Sequence, residues 1–240
     1  MLSKRDIKLI KSLMLKKHIL TNKLFVVEGK KSISEFIQSN FSLFKLFSID
    51  QQFFNLKLTQ ITESDLKRIS FLTNPDDHLA IFRIPEKKII DESKLLLGLD
   101  GINDPGNLGN IIRTCDWYNI TDIICSNGSV DCFNPKVVQS AMGSLSRVNI
   151  TYLDLKKYLS SKSFNKIGTF LNGESIFETK INFDKGILVF GNEANGISSK
   201  VENELKQKIT IPRNNSKNYP ESLNLSNSVG IILSQLSIKF

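Results

Sequence analysis

Histidine and cysteine are scarce: the 240 residues hold two His (His18, His78) and three Cys (Cys115, Cys125, Cys132). Cysteines spaced by ten and seven residues form neither an even-numbered disulfide framework nor a CxxC zinc pair. A reducing, cytoplasmic setting is therefore expected, without a His- or Cys-held metal. No run approaches the ~20 consecutive apolar residues that cross a bilayer, so no membrane span is expected. Lysines interrupt the apolar residues of MLSKRDIKLIKSLMLKK, which also lacks a small-residue cleavage site and so reads poorly as a signal peptide. No GxGxxG is present to serve as a dinucleotide fingerprint. In GNEANGIS, Ile197 stands where a phosphate-binding loop requires lysine, which argues against a nucleotide triphosphatase.

What is present describes a globular chain: 40% hydrophobic residues, 16 Phe and 23% charged residues. The length fits one large domain or two small ones. The net charge of +8 is unevenly placed, since residues 1–31 carry nine Lys/Arg against two acids, a net +7. Lys4, Lys8 and Lys11 recur at helical spacing beside Ile7, Ile10 and Met14. A solvated helix face explains such a stripe; so does a phosphate-backbone partner, whose counterions are released on binding. Glycine is divided more sharply. Only Gly29 occurs among the first 97 residues, and the other twelve lie between Gly98 and Gly230. A boundary is expected near residues 86–94, between an N-terminal binding module and a C-terminal chemical one.

Patterning predicts two α/β units. In the first, an opening helix precedes strand Leu24–Gly29, a helix near Ser32–Gln38 and a last strand at His78–Ile84. In the second, strands are expected at Leu95–Asp100, Thr121–Cys125, Arg147–Thr151, Lys166–Leu171, Gly186–Gly191 and Lys208–Pro212. Helices are expected near Ile111–Tyr118, from Asn134–Pro135 onward, and over Leu223–Ser237. Strands alternating with helices imply a mostly parallel sheet with ligands at its carboxyl ends. Cys115, Trp117 and Cys125 are expected in the core.

Three loops follow predicted strands: LDGINDPGNLGNIIRT (Leu99–Thr114), VFGNEANGIS (Val189–Ser198) and TIPRNNSKNYPESLNLSNS (Thr210–Ser228). Singly, each is an ordinary turn of an α/β domain. Together, NLGNIIR, GNEANG and the IP…SLN pair, in this order, resemble the SpoU (TrmH) branch of the SPOUT superfamily of RNA ribose 2′-O-methyltransferases. FVVEGKKSISEFI and LKRISFLTNPDDHLAIFRIP resemble the substrate-binding domain, of ribosomal-protein type, that often precedes that catalytic domain.

The resemblance implies an RNA substrate-binding domain over 1–90 and a SPOUT domain over 94–240, the latter with a deep trefoil knot. It implies S-adenosylmethionine as cofactor, held by Gly191, Ile211, Ser222 and Leu223, with Thr169 and Leu171 as weaker candidates. It implies Asn107, Arg113, Glu193 and Asn224 as catalytic residues, Arg113 anchoring an RNA phosphate or assisting deprotonation. A helix N-cap for Asn107 is the bland alternative. Lys4, Lys8, Lys11 and Lys17, with Arg113, become RNA-binding candidates, the RNA being ribosomal or transfer. A homodimer needing neither membrane nor metal follows from the same resemblance. The competing reading is an RNA-binding assembly factor that keeps the fold without catalysing.

Overall fold

The computed structural model describes residues 2–51, 53, 55–178, 185–213 and 221–237, so part of the third loop, 214–220, lies outside the described residues. The chain divides into two compact units: Met1–Lys87 with Asp131–Arg147, and Lys88–Val130 with Val148–Phe240. Among the described residues no helix is long and apolar enough to cross a membrane.

In the first unit the expected opening helix is two helices, α1 (Lys4–Ser12) and α2 (Lys16–Asn22). The break after Leu13 lets Ile10, Leu13 and Ile19 all reach the core. Strand β1 (Leu24–Glu28) leads into α3 (Lys30–Ile37), β2 (Leu43–Ser48), β3 (Thr59–Gln60), α4 (Glu63–Ile69) and β4 (His78–Arg83). The sheet order is β1-β4-β2-β3. Its main pairings, β1 with β4 and β2 with β4, are antiparallel, which corrects the expectation of a mostly parallel sheet for this unit. Alternation of strand and helix does not fix whether a chain returns to its sheet up or down. Phe25, Phe36, Phe47 and Phe82 are fully buried.

The second unit opens on β5 (Leu95–Asp100) and α5 (Pro105–Trp117), followed by β6 (Asp122–Ser126). The chain then contributes α6 (Pro135–Ala141) and a 3-10 turn (Ser144–Ser146) to the first unit, where Phe133 packs 4.7 Å from Phe25. Asn134 caps α6 and Pro135 takes its first turn, as the sequence predicts. The second unit resumes with β7 (Asn149–Leu153), α7 (Leu155–Ser160), β8 (Lys166–Ser175), β9 (Gly186–Gly191), α8 (Ser199–Glu202), β10 (Gln207–Thr210) and α9 (Leu225–Ser237).

These six strands pair in parallel in the order β10-β8-β9-β5-β6-β7. Every residue of β9 is buried, as a central parallel strand covered on both faces requires. From β5 the chain first builds outward through β6 and β7, then returns to build β8, β9 and β10 on the other side. The β5–β9 pair is thus the point where strand order reverses, and loops leaving the carboxyl ends of these strands frame a crevice.

Cys115 and Cys125 are fully buried, and burial pushes both thiols up, Cys125 to about 12. Trp117 corrects the core expectation: it is 85% exposed. On α5 the inward stripe is Leu108, Ile111, Ile112 and Cys115, and Trp117 falls outside it.

Candidate functional site

Helix α5 starts six residues earlier than its apolar pattern suggests. Asp104 is its N-cap, the Asp104 Oδ1 accepting the Asn107 N–H at 2.7 Å, and Pro105 occupies the first turn. The N-cap alternative for Asn107 is therefore displaced onto Asp104. The cap leaves the Asn107 side chain to point elsewhere, and it donates from Nδ2 to Glu193 Oε1 at 2.7 Å. Glu193 sits in the loop after β9, 86 residues away in sequence. The Asn107 amide oxygen accepts from Asn224 Nδ2 at 3.0 Å. Asn224 in turn starts α9, its Oδ1 accepting Ser226 N–H at 2.9 Å and Ser226 Oγ–H at 2.7 Å. Three candidate residues, one from each loop, thus form a single chain of bonds at the reversal point of the sheet.

Two further links bind the first loop to the second, and both come from residues that the sequence reading passed over. Asp100, buried at the end of β5, accepts Ser198 N–H at 2.9 Å and Ser198 Oγ–H at 2.6 Å. Asn192 Nδ2 donates to Gly101 O at 2.7 Å. An Asn beside a loop glycine and an Asp–Gly pair at a strand end are both familiar turn signals. Either could have marked these positions.

Gly191 ends β9 where no side chain fits: a Cβ there would lie 2.1 Å from Gly196 C and Ile197 N. The loop folds back on itself, Asn192 N–H donating to Gly196 O at 2.9 Å and Gly196 N–H to Asn192 O at 2.8 Å. Beside it, β8 leaves its ladder with β10 between Gly168 and Glu174 and rejoins it at Ile209. This excursion carries Thr169 and Leu171. Thr169 Oγ1 donates to Val189 O at 3.2 Å, and Thr210 Oγ1 to Leu171 O at 3.1 Å. Ile211 follows Thr210 directly, half-buried, while Ser222 and Leu223 lie exposed just before Asn224. The β8 excursion and the carboxyl ends of β9 and β10 thus present backbone amides and carbonyls beside Leu171 and Ile211, whose carbonyls both lie within reach of Thr210 Oγ1. That combination suits a planar base with a polar edge.

Arg113 is not part of the Glu193–Asn107–Asn224 chain. It is exposed on α5, and no hydrogen bond or ion pair occupies its guanidinium among the described residues. In the first unit, Lys4, Lys8 and Lys11 are exposed along α1, and Lys17 is exposed on α2. The two acids of this charged segment are taken up internally. Asp6 is bound by Lys45 Nζ at 2.5 Å, and Glu28 accepts from Ser70 Oγ at 2.5 Å and Phe71 N–H at 2.8 Å. The outward field of residues 1–31 is accordingly positive.

Residues 94–234 match the SpoU rRNA Methylase family. The chain belongs to that family. Residues 4–80 match the MRM3-like substrate binding domain. Among curated relatives, the chain is 24% identical over 235 residues to the 23S rRNA (guanosine(2553)-2′-O)-methyltransferase RlmP of Bacillus subtilis, covering 94% of this chain and 93% of that one. It is 36% identical to a solved structure from Porphyromonas gingivalis assigned to the TrmH family of RNA methyltransferases, with a TM-score of 0.85 over 98% of both chains. An AdoMet-bound rRNA methyltransferase structure from Sinorhizobium meliloti shares the fold at 23% identity, with a TM-score of 0.86 over 100% of this chain and 97% of that one.

Proposed function

We propose that this protein transfers a methyl group from S-adenosylmethionine to a ribose 2′-hydroxyl of ribosomal or transfer RNA. The observation that carries the reading is the Glu193–Asn107–Asn224 chain, which draws the three family loops to one point at the carboxyl ends of the parallel strands. The activity for which the Bacillus subtilis relative is named supports the same chemistry.

Gly191, the Thr169–Leu171 excursion, Ile211, Ser222 and Leu223 fit the cofactor as strand-end backbone groups beside apolar side chains, and the missing side chain of Gly191 lets the backbone of Gly196 and Ile197 fold tightly against the strand end. When bound, S-adenosylmethionine supplies a sulfonium methyl whose transfer leaves a neutral thioether, so the charge problem lies on the RNA side. There the hydroxyl must be held in line and lose its proton. Arg113 stands ready to take a phosphate in a bidentate grip and so fix the ribose. Glu193 and Asn107 hold the loops that bound the ribose site. The lysines of α1 and α2 supply sequence-independent attraction for the backbone.

A knotted C-terminus is supported by α9, which returns from the β10 edge to pack against α5. A homodimer is supported by the uncovered indole of Trp117 on α5. The buried free thiols and the relatives' rRNA substrates support a cytoplasmic location. Calorimetry of the purified protein with S-adenosylmethionine tests the proposal: saturable binding at one site per chain is expected, and no detectable heat across a millimolar range overturns it.

A further inference from the structure

Asn192 makes more contacts than a turn needs. Its Oδ1 accepts the N–H groups of Ala194 at 2.9 Å and Asn195 at 3.2 Å, which closes the turn after β9. Its Nδ2 does something separate, donating to Gly101 O at 2.7 Å across to the loop that follows β5. Gly101 itself turns there with φ +75° and is pinned by its own N–H to Ser126 Oγ at 2.8 Å. The next residue after Asn192 is Glu193, whose carboxylate must meet Asn107 on the far side of that same loop. The two loops are therefore joined by adjacent residues of one and by Gly101 and Asn107 of the other.

Each link constrains the other. The Glu193–Asn107 bond is exposed and charge-assisted, and water competes for both partners. The Asn192–Gly101 bond is half-buried and ends on a backbone carbonyl of a pinned turn, so it fixes where the Glu193 backbone sits. Asp100 and Ser198 hold the distal end of the same loop.

We infer that Asn192 is a positioning residue for methyl transfer: its Nδ2–Gly101 bond sets the register in which Glu193 meets Asn107. The inference rests on the methyltransferase reading for its kinetic consequence and on the geometry alone for its structural one. The Asn192 side chain bonds none of the residues assigned to RNA or to the cofactor, so its effect is expected on the transfer step and not on cofactor affinity.

Asn192→Asp separates the two roles of the side chain. An aspartate keeps an oxygen to accept from Ala194 and Asn195, but it sets a second oxygen, which cannot donate, against the Gly101 carbonyl. Asn192→Ala removes both roles. Both variants are expected to lower kcat by roughly ten- to a hundredfold, the scale of a misplacement of about 1 Å, with the calorimetric Kd for S-adenosylmethionine within about threefold of wild type. In both, the Asn107 side-chain amide resonance should move towards the free-amide position. An Asp variant with wild-type kcat and an unmoved Asn107 resonance overturns the inference and returns Asn192 to turn closure alone. Cofactor affinity falling by the same factor as kcat overturns it too, since Asn192 would then belong to the cofactor pocket. If wild-type protein binds no S-adenosylmethionine, the methyltransferase reading has failed. The Asn107 resonance then decides the positioning claim by itself.

Discussion

Gly191 and Gly196 bound the same loop, and the structure assigns their substitutions different costs. At Gly191 an added Cβ would stand 2.1 Å from Gly196 C and Ile197 N and 2.5 Å from Gly196 O. These are backbone atoms, which no rotamer change can move aside. Ordinary Cβ contact begins at 3.4 Å, so the loop must retreat by more than an ångström. That motion opens the Asn192–Gly196 pair of bonds and draws Glu193 away from Asn107. Overpacking of a tight site costs about 1–3 kcal/mol, and loss of two backbone bonds places Gly191→Ala at the upper end. Gly196 has φ +65° and open space where its Cβ would go, so Gly196→Ala pays only the left-handed backbone penalty of about 1 kcal/mol. Chemical denaturation should rank the two variants in that order, Gly191→Ala being the less stable by about 1–2 kcal/mol. Calorimetry should show S-adenosylmethionine affinity lost in Gly191→Ala and kept within about threefold in Gly196→Ala. Equal stabilities, or full cofactor affinity in Gly191→Ala, would refute the steric argument.

Three other perturbations test separate parts of the account. Arg113→Ala should abolish methyl transfer, a drop of about a hundredfold or more for loss of a positioned phosphate contact, with cofactor binding nearly unchanged; an active variant would mean the arginine is misassigned. Replacing Lys4, Lys8 and Lys11 with Gln should weaken RNA binding and reduce the slope of log K against log salt by about 2–3; an unchanged slope returns the stripe to a solvated helix face. Burial pushes the Asp6 carboxyl up, but hydrogen bonds from Lys45 and Ser3 outweigh it and hold it below the ordinary 3.8. Because the folded-state value is lowered, its stabilisation is full above pH 3.8 and fades as pH falls through the folded value. Asn at position 6 should therefore cost most near neutrality and progressively less below about pH 4, a trend that denaturation at several pH values would show and that a pH-independent cost would contradict.

Much of the second unit was legible because its strands are continuous apolar runs. GILVFG and LLLGLD form β9 and β5 over the residues expected of them. The three loops could be read because each follows an apolar strand with a run of asparagine together with glycine or proline. The first turn of α5 was not legible as helix, since Asp104, Pro105, Gly106 and Asn107 are turn formers as well as N-terminal helix residues. Periodicity also cannot separate an inward position from one just beyond it, hence the exposed Trp117. Nothing local announces that residues 131–147 pack with the first unit; long-range contacts such as Phe133 with Phe25 and Arg147 with Glu35 decide that. Asn192 escaped notice because its partner, the Gly101 carbonyl, is 91 residues away and carries no side chain.

The central claim is most directly tested by incubating the protein with RNA and methyl-labelled S-adenosylmethionine, digesting the RNA to nucleosides and identifying the labelled product. The account predicts a 2′-O-methyl nucleoside from a single position. Label found only on a base, or no label in any ribosomal or transfer RNA supplied unmodified at its 2′-hydroxyls, would contradict it.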